Sequence, residues 1–129
     1  MNYELVFEIE PQSKERPRFS NHGGKMRTYT AIKTRKYEST IAVMARKQML
    51  TKPILSGSLV AHVVFEFLKP KKTMLSSPKK DLDNLCKALF DALNEIVYHD
   101  DTQICGLVAH KRWGTENKIR LLIGQEGEL

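Results

Sequence analysis

The sequence predicts an α+β domain, a small mixed or antiparallel sheet with helices packed on one of its faces. Three observations predict it. Four segments carry the apolar patterning of strands, two carry helical spacing, and they follow one another in the order β-α-β-α-β-β. The 129 residues suit one domain, spanning 1–129 and able to bury a core without metal or disulfide staples.

Residues 3–9 alternate in part and predict the first strand. Residues 11–30 are polar and hold Pro11, Pro17 and the Gly23-Gly24 pair, so they predict a long loop or arm. Residues 33–50 lack Gly and Pro, and Tyr37, Ile41, Met44, Ala45 and Met49 recur at helical spacing. They predict a helix that ends at Lys52-Pro53. Residues 57–68 are rich in Val and Phe and predict a strand. The lysine-rich stretch 69–80, with Pro70 and Pro78, predicts an exposed, mobile loop. Residues 81–96 predict the clearest helix, because Leu82, Leu85, Cys86, Leu89, Ala92, Leu93 and Ile96 form one apolar stripe. Residues 98–102 predict a polar turn. Residues 103–112 and 118–123 predict two strands joined in hairpin fashion through Trp113–Asn117. Strand order cannot be read from these patterns.

Composition narrows the function classes. A hydrophobic share of 41% and a charged share of 28% are those of a globular protein. No apolar run approaches the ~18 residues that span a bilayer. The early acids argue against a signal peptide, so the expected location is cytoplasmic. Cys86 and Cys105 then predict buried, reduced thiols. With His99 and His110 they lack the spacing of a zinc site.

The net charge of +6 is unevenly spread: residues 1–80 hold 16 Lys/Arg against 6 Asp/Glu, and residues 81–129 hold 5 against 9. A basic domain suits a polyanion, and nucleic acid is the usual one. A protein that only bound nucleic acid would gain little from carboxylates beside phosphates. One that cuts it needs them to hold a metal.

The informative run is Lys80-Asp81-Leu82-Asp83-Asn84-Leu85-Cys86-Lys87, followed by Asp91 and Asp100-Asp101. Cutting a phosphodiester requires an activated water and stabilisation of a transition state with extra negative charge. Magnesium serves both needs and takes oxygen ligands. If residue 81 is still extended, Asp81 and Asp83 point to one side while Leu82 points into the core. Lys87 shares a helix face with Asp83, and Asp91 lies one turn further along. Asp100 or Asp101 can return toward these groups if a strand runs antiparallel to the helix. Each piece also has a plain structural reading: Asp81 and Asp83 suit helix capping, Asp100-Asp101 suit a turn, and Lys87–Asp91 suits a surface ion pair.

The pattern Asp-Leu-Asp-Asn-Leu-x-Lys-Ala-Leu-Phe-Asp-Ala-Leu, a short spacer, then Asp-Asp-x-Gln-Ile, from Lys80 to Ile104, resembles the RusA-like Holliday junction resolvases, many of them encoded by phages and prophages. Upstream, Lys14-Glu-Arg-Pro-Arg-Phe19 and the segment Tyr29–Tyr37 resemble that family's N-terminal arm. The resemblance implies a homodimeric endodeoxyribonuclease that cuts four-way DNA junctions with Mg2+, for which Mn2+ can substitute, and that uses no organic cofactor and no membrane. It implies catalytic roles for Asp81, Asp83, Lys87 and Asp101. The three aspartates would be metal ligands, with Asp100 a lesser candidate. It leaves Asn84 and Asp91 structural. The family's best-known member carries an aromatic side chain just before the first aspartate; here that segment is Pro78-Lys79-Lys80, which keeps the basic character and has no aromatic.

The expected DNA contacts are Lys14, Arg16, Arg18, Arg27, Lys33, Arg35, Lys79 and Lys80, with Lys25 and Lys36 in the same basic stretch. Phe19 and Tyr29 suit either stacking on bases or packing, and packing is the commoner fate. Phe90, beside the apolar stripe, suits either the core or a dimer surface. Two rival functions stay in view. A non-cutting nucleic-acid-binding protein explains the arm and leaves Asp81, Asp83 and Asp101 without a purpose. A nuclease for flaps or forks explains both.

Overall fold

The computed structural model describes residues 1–14 and 25–129. In chain order it has strand β1 (Asn2–Phe7), helix α1 (Lys25–Met49), strand β2 (Leu59–Leu68), helix α2 (Leu82–Ala92), strand β3 (Ile104–Gly114) and strand β4 (Lys118–Gln125). A single 3-10 turn, Asp101–Gln103, leads into β3. The α+β class and the mixed sheet agree with the pattern of the sequence.

The sheet order is β1-β4-β2-β3. β4 lies antiparallel to both β1 and β2, and β3 runs parallel to β2. A parallel pair needs a crossover connection, and α2 supplies it. The expected hairpin between the last two strands is therefore corrected: β2 sits between β3 and β4. The connection passes the end of β2, where Lys69 N–H donates to Gly114 O at 3.1 Å and Leu68 N–H donates to Asn117 Oδ1 at 2.9 Å.

Strand alternation sets the layers. Tyr3, Leu5 and Phe7 of β1, Leu59, Ala61, Val63, Phe65 and Phe67 of β2, and Ile119, Leu121 and Ile123 of β4 are buried. They meet Tyr37, Ile41, Ala45 and Met49 of α1 and Leu85, Ala88, Leu89 and Ala92 of α2 in one core. The alternate residues of the strands face away from it. Both helices thus cover one face of the sheet. Phe90 belongs to the core. No helix among the described residues is long and apolar enough to cross a membrane.

Element boundaries differ from expectation for physical reasons. α1 starts at Lys25, so the last residues of the expected loop 11–30 are helical. Polarity alone does not oppose a helix; Gly and Pro do, and none follows the Gly23-Gly24 pair until Pro53. α2 stops at Ala92 although its apolar stripe continues. Leu93, Ile96, Val97 and Tyr98 stay buried through a tight turn in which Glu95 takes a positive φ of 64° and donates its N–H to Tyr98 O at 2.7 Å. Tyr98, expected in a polar turn, is a core residue whose hydroxyl donates to Phe90 O at 2.6 Å. The loop 69–80 is tied to β3: Pro78 is buried, Trp113 Nε1 donates to Leu75 O at 3.0 Å, and Lys111 Nζ donates to Lys80 O at 2.8 Å.

Candidate active site

α2 is entered through Asp81, which is extended (φ −65°, ψ 120°) and caps the helix, its Oδ1 accepting from Asp83 N–H at 3.0 Å. Leu82 packs against the core. The capping reading of Asp81 is thus realised in the fold, and a carboxylate has a second oxygen for other work. Asp83 and Lys87 follow on the exposed side of the same helix.

The return of the chain meets the condition stated above. Asp101, just before β3, contacts Asp91 near the end of α2, while Lys111, near the end of β3, reaches Lys80 just ahead of α2. β3 therefore runs antiparallel to α2 and brings the Asp-Asp pair back alongside the helix. Between them lies an open cleft of about 330 Å³, lined by Asp83, Cys86, Lys87 and Phe90 from α2 and by Asp101 and Ile104–Leu107 on the other wall. Asp83, Lys87 and Asp101 share this cleft; Asp81 and Asp100 do not line it.

The turn that carries Asp101 is built by side chains. Asp100 caps the 3-10 turn by accepting from Thr102 N–H at 3.1 Å. Gln103 Oε1 accepts from His99 N–H at 2.8 Å and Asp100 N–H at 3.0 Å, completing a capping box. Gln103 Nε2 donates to Leu55 O at 3.2 Å and Gly57 O at 3.0 Å, which ties the turn to the lead-in of β2. Asn94 Oδ1 accepts from Asp101 N–H at 2.9 Å. Reading the sequence missed Asn94 and Gln103. The spacing Asp100-x-x-Gln103, a capping-box signature, was the available signal for the second.

Carboxyls crowd here. Asp101 hydrogen-bonds to both Asp100 and Asp91; burial, then these two neighbours, push its carboxyl up to about 6. Burial also pushes Asp91 up, but the hydrogen bond and charge of Lys14, with Asp101 and Lys87, hold it below the usual carboxylate range. Asp100 is lowered by the Thr102 backbone N–H and by Asp101. Asp91, assigned a structural role from the sequence, touches Lys14 Nζ at 2.8 Å, Lys87 Nζ at 3.5 Å and the Asp101 carboxyl.

Among the described residues no group of three or more His, Cys, Asp or Glu is arranged to enclose a metal ion. Mg2+ is seldom caged by protein alone, and usually takes one or two carboxylates together with waters and substrate phosphates. Asp83 and Asp101 on facing walls fit that habit, and their hard oxygen donors suit Mg2+.

Lys33, Arg35, Lys36 and Lys79 are exposed and Lys80 is half-buried. Arg16, Arg18 and Phe19 lie outside the described residues; Arg27 and Tyr29 fall within α1, and only its backbone is described there. Lys14 is engaged by two carboxylates, Glu38 at 3.1 Å and Asp91 at 2.8 Å. Cys86 is buried and Cys105 is exposed, which corrects the expectation of two buried thiols. Cys105 sits on the edge strand β3, and Cys86 lies on the buried side of α2 at the cleft wall.

A helix and an antiparallel edge strand that hold carboxylates and a lysine on one basic domain define a nuclease-like cleft. The model of one family, the endodeoxyribonuclease RusA family, matches residues 8–124, and the chain belongs to that family. A curated relative, the uncharacterized protein YqaN of Bacillus subtilis (strain 168), is 28% identical over 128 residues, covering 88% of this chain and 89% of that protein.

Proposed function

We propose that this protein is a Mg2+-dependent endodeoxyribonuclease that resolves four-way DNA junctions by paired nicks, acting as a homodimer in recombination and repair. One observation carries the reading: Asp83, Lys87 and Asp101 line a single cleft in a chain of the RusA endodeoxyribonuclease family.

Asp83 and Asp101, with Asp81 at the helix entry and Asp100 behind Asp101, are the residues that would hold the ion. Mg2+ bound there supplies positive charge at the scissile phosphate and acidifies water. The chain's own residues do the rest. Lys87 puts its ammonium on the cleft wall, where charge grows on the phosphate oxygens as the transition state is approached. Water adds to phosphorus, one P–O ester bond breaks, and the proton released by the water ends on the departing oxygen. Lys33, Arg35, Lys79 and Lys80, with Arg16, Arg18 and Arg27, contact the backbone phosphates. A homodimer follows from symmetry, since a four-way junction offers two equivalent strands and a two-fold dimer provides one cleft for each.

The test is a substrate panel: labelled four-way junction, three-way junction, flap and linear duplex, with Mg2+, with Mn2+ and with EDTA. Paired nicks on opposing strands of the four-way junction, dependent on the cation, are expected. Cutting of flaps or forks in preference would assign the protein to other branched DNA. Binding with no cutting of any substrate would assign it to the non-cutting class.

A further inference from the structure

We infer that Lys14 is a positioning residue of the cleft, holding Asp91 and through it Asp101 and Lys87, rather than a phosphate contact. The inference rests on the nuclease reading above. Lys14 is fastened to α2 twice. Its backbone N–H donates to Asn84 O at 3.1 Å, and its ammonium reaches Asp91 Oδ2 at 2.8 Å two turns further on. The same ammonium donates to Glu38 Oε1 of α1 at 3.1 Å. An ammonium has three donors, and two of these are spent on carboxylates. A phosphate approaching this spot would meet two anions beside one cation. That is a poor binding surface and a good clamp.

Asp91 is the hub that the clamp holds. Its Oδ2 also faces Lys87 Nζ at 3.5 Å, and its carboxyl is in hydrogen-bond contact with Asp101. Its side chain is mostly enclosed, at 19% exposure, whereas that of Lys87 is 61% exposed. Without Lys14, Lys87 is the cation left to balance Asp91, and is drawn toward it and away from the cleft. Asp101 then loses a fixed neighbour. The chain runs from Lys14 directly into the stretch that carries Arg16 and Arg18. The clamp thus pins the root of the basic arm to the helix that carries Asp83 and Lys87.

The experiment compares Lys14→Met, Lys14→Arg, Asp91→Asn and the Lys14→Met/Asp91→Asn pair with the parent protein. Junction affinity is measured by gel shift in EDTA across a salt series. Cleavage is measured as the single-turnover rate in Mg2+ at saturating protein, and melting temperatures are taken without added metal. Lys14→Met should cut about 10- to 100-fold more slowly, the usual cost of losing a group that orients a reacting one. Its junction affinity should stay within about twofold of the parent, and Lys14→Arg should recover most of the rate. The pair should be no slower than the slower single variant, and its melting temperature should be non-additive, because the residues act as a unit. Three results would overturn the inference. The first is weaker binding with a shallower salt slope and a full rate at saturation, which means phosphate contact. The second is a rate loss that tracks the loss of folded protein in the melts, in Lys14→Arg as much as in Lys14→Met. The third is a parent-like rate in Lys14→Met. If the parent itself cuts no substrate, the nuclease reading fails and this inference with it, so the parent lane tells the two failures apart.

Discussion

Asp101 carries a carboxyl pushed up to about 6 by burial, then by Asp100 and Asp91. The folded value lies above the ordinary one, so the stability this group contributes is present below about pH 4 and lost as pH rises through about 6. At pH 7.5 without metal its charge destabilises the fold. A sheltered group shifted so far would cost about 3 kcal/mol, and screening at this half-exposed site reduces that to about 1 kcal/mol. Asp101→Asn removes the charge and keeps the shape, so the metal-free variant is expected to melt about 3–5 °C higher than the parent at pH 7.5. The gap should close at pH 4, as a calorimetric series at the two pH values would read. The thiols give a second contrast at this scale. Burial, then Asp83, push Cys86 up to about 11, while Cys105 is exposed on β3. Timed alkylation at pH 8 followed by mass spectrometry should label Cys105 at least about tenfold faster than Cys86 in the native protein, since the thiolate is the reactive form. Equal rates would mean that α2 opens readily. At this scale the sequence was legible where chemistry clusters in a short run, as from Asp81 to Lys87. It gave Lys14 as a DNA contact and passed over Asn94, because their partners lie across space, and it expected both thiols to be covered where Cys105 is exposed.

At the scale of elements, the turn before β3 decides where Asp101 stands. The Gln103 side chain makes four hydrogen bonds there, two accepted and two donated, and joins the turn to Leu55 and Gly57. Gln103→Ala is expected to cost about 1–2 kcal/mol, the range for losing a cap and its bonds. It should also slow cutting more than binding; denaturant melts and the junction assay read the two effects. The helix α2 and the strands β2 and β4 were legible because each buries one face, and burial imprints a period. The end of α2 was not, because the buried turn after Ala92 continues the same apolar rhythm with a different backbone. The β3–β4 pairing was misread for a related reason. Two strands close in sequence read as a hairpin, yet β2 contributes Val63, Phe65 and Phe67 to the core between them, and pairing is decided by that non-local fit.

For the whole molecule, charge and symmetry carry the argument. The basic excess lies in residues 1–80, whereas the cleft that holds Asp83 and Asp101 is lined by residues 83–107. Junction binding should therefore fall by orders of magnitude between about 50 and 200 mM salt through counterion release. Arg16→Ala/Arg18→Ala should weaken binding to every substrate alike, as a gel-shift salt series would read. Light scattering with junction DNA present should report two chains per complex; a lone chain cutting both strands would count against the symmetric arrangement. Fold class was visible in the sequence from periodicity, and the motif from Lys80 to Ile104 pointed to a candidate site of which Asp83, Lys87 and Asp101 share one cleft. Strand order and the antiparallel run of β3 along α2, which unites the two halves of that motif, needed the structure. The central claim is that Asp83 and Asp101 face one cleft to do chemistry rather than to hold the fold. The most direct measurement takes Asp83→Asn and Asp101→Asn, folded by circular dichroism, and compares junction binding in EDTA with single-turnover cleavage in Mg2+. The expected result is binding equal to or tighter than the parent's, with cleavage lost by at least about 100-fold, since Asn keeps an acceptor oxygen but not the charge that Mg2+ requires. Parent-like cleavage by both variants would contradict the account and leave Asp83 as a first-turn acid of α2 and Asp101 as a residue of the turn that Asp100 caps.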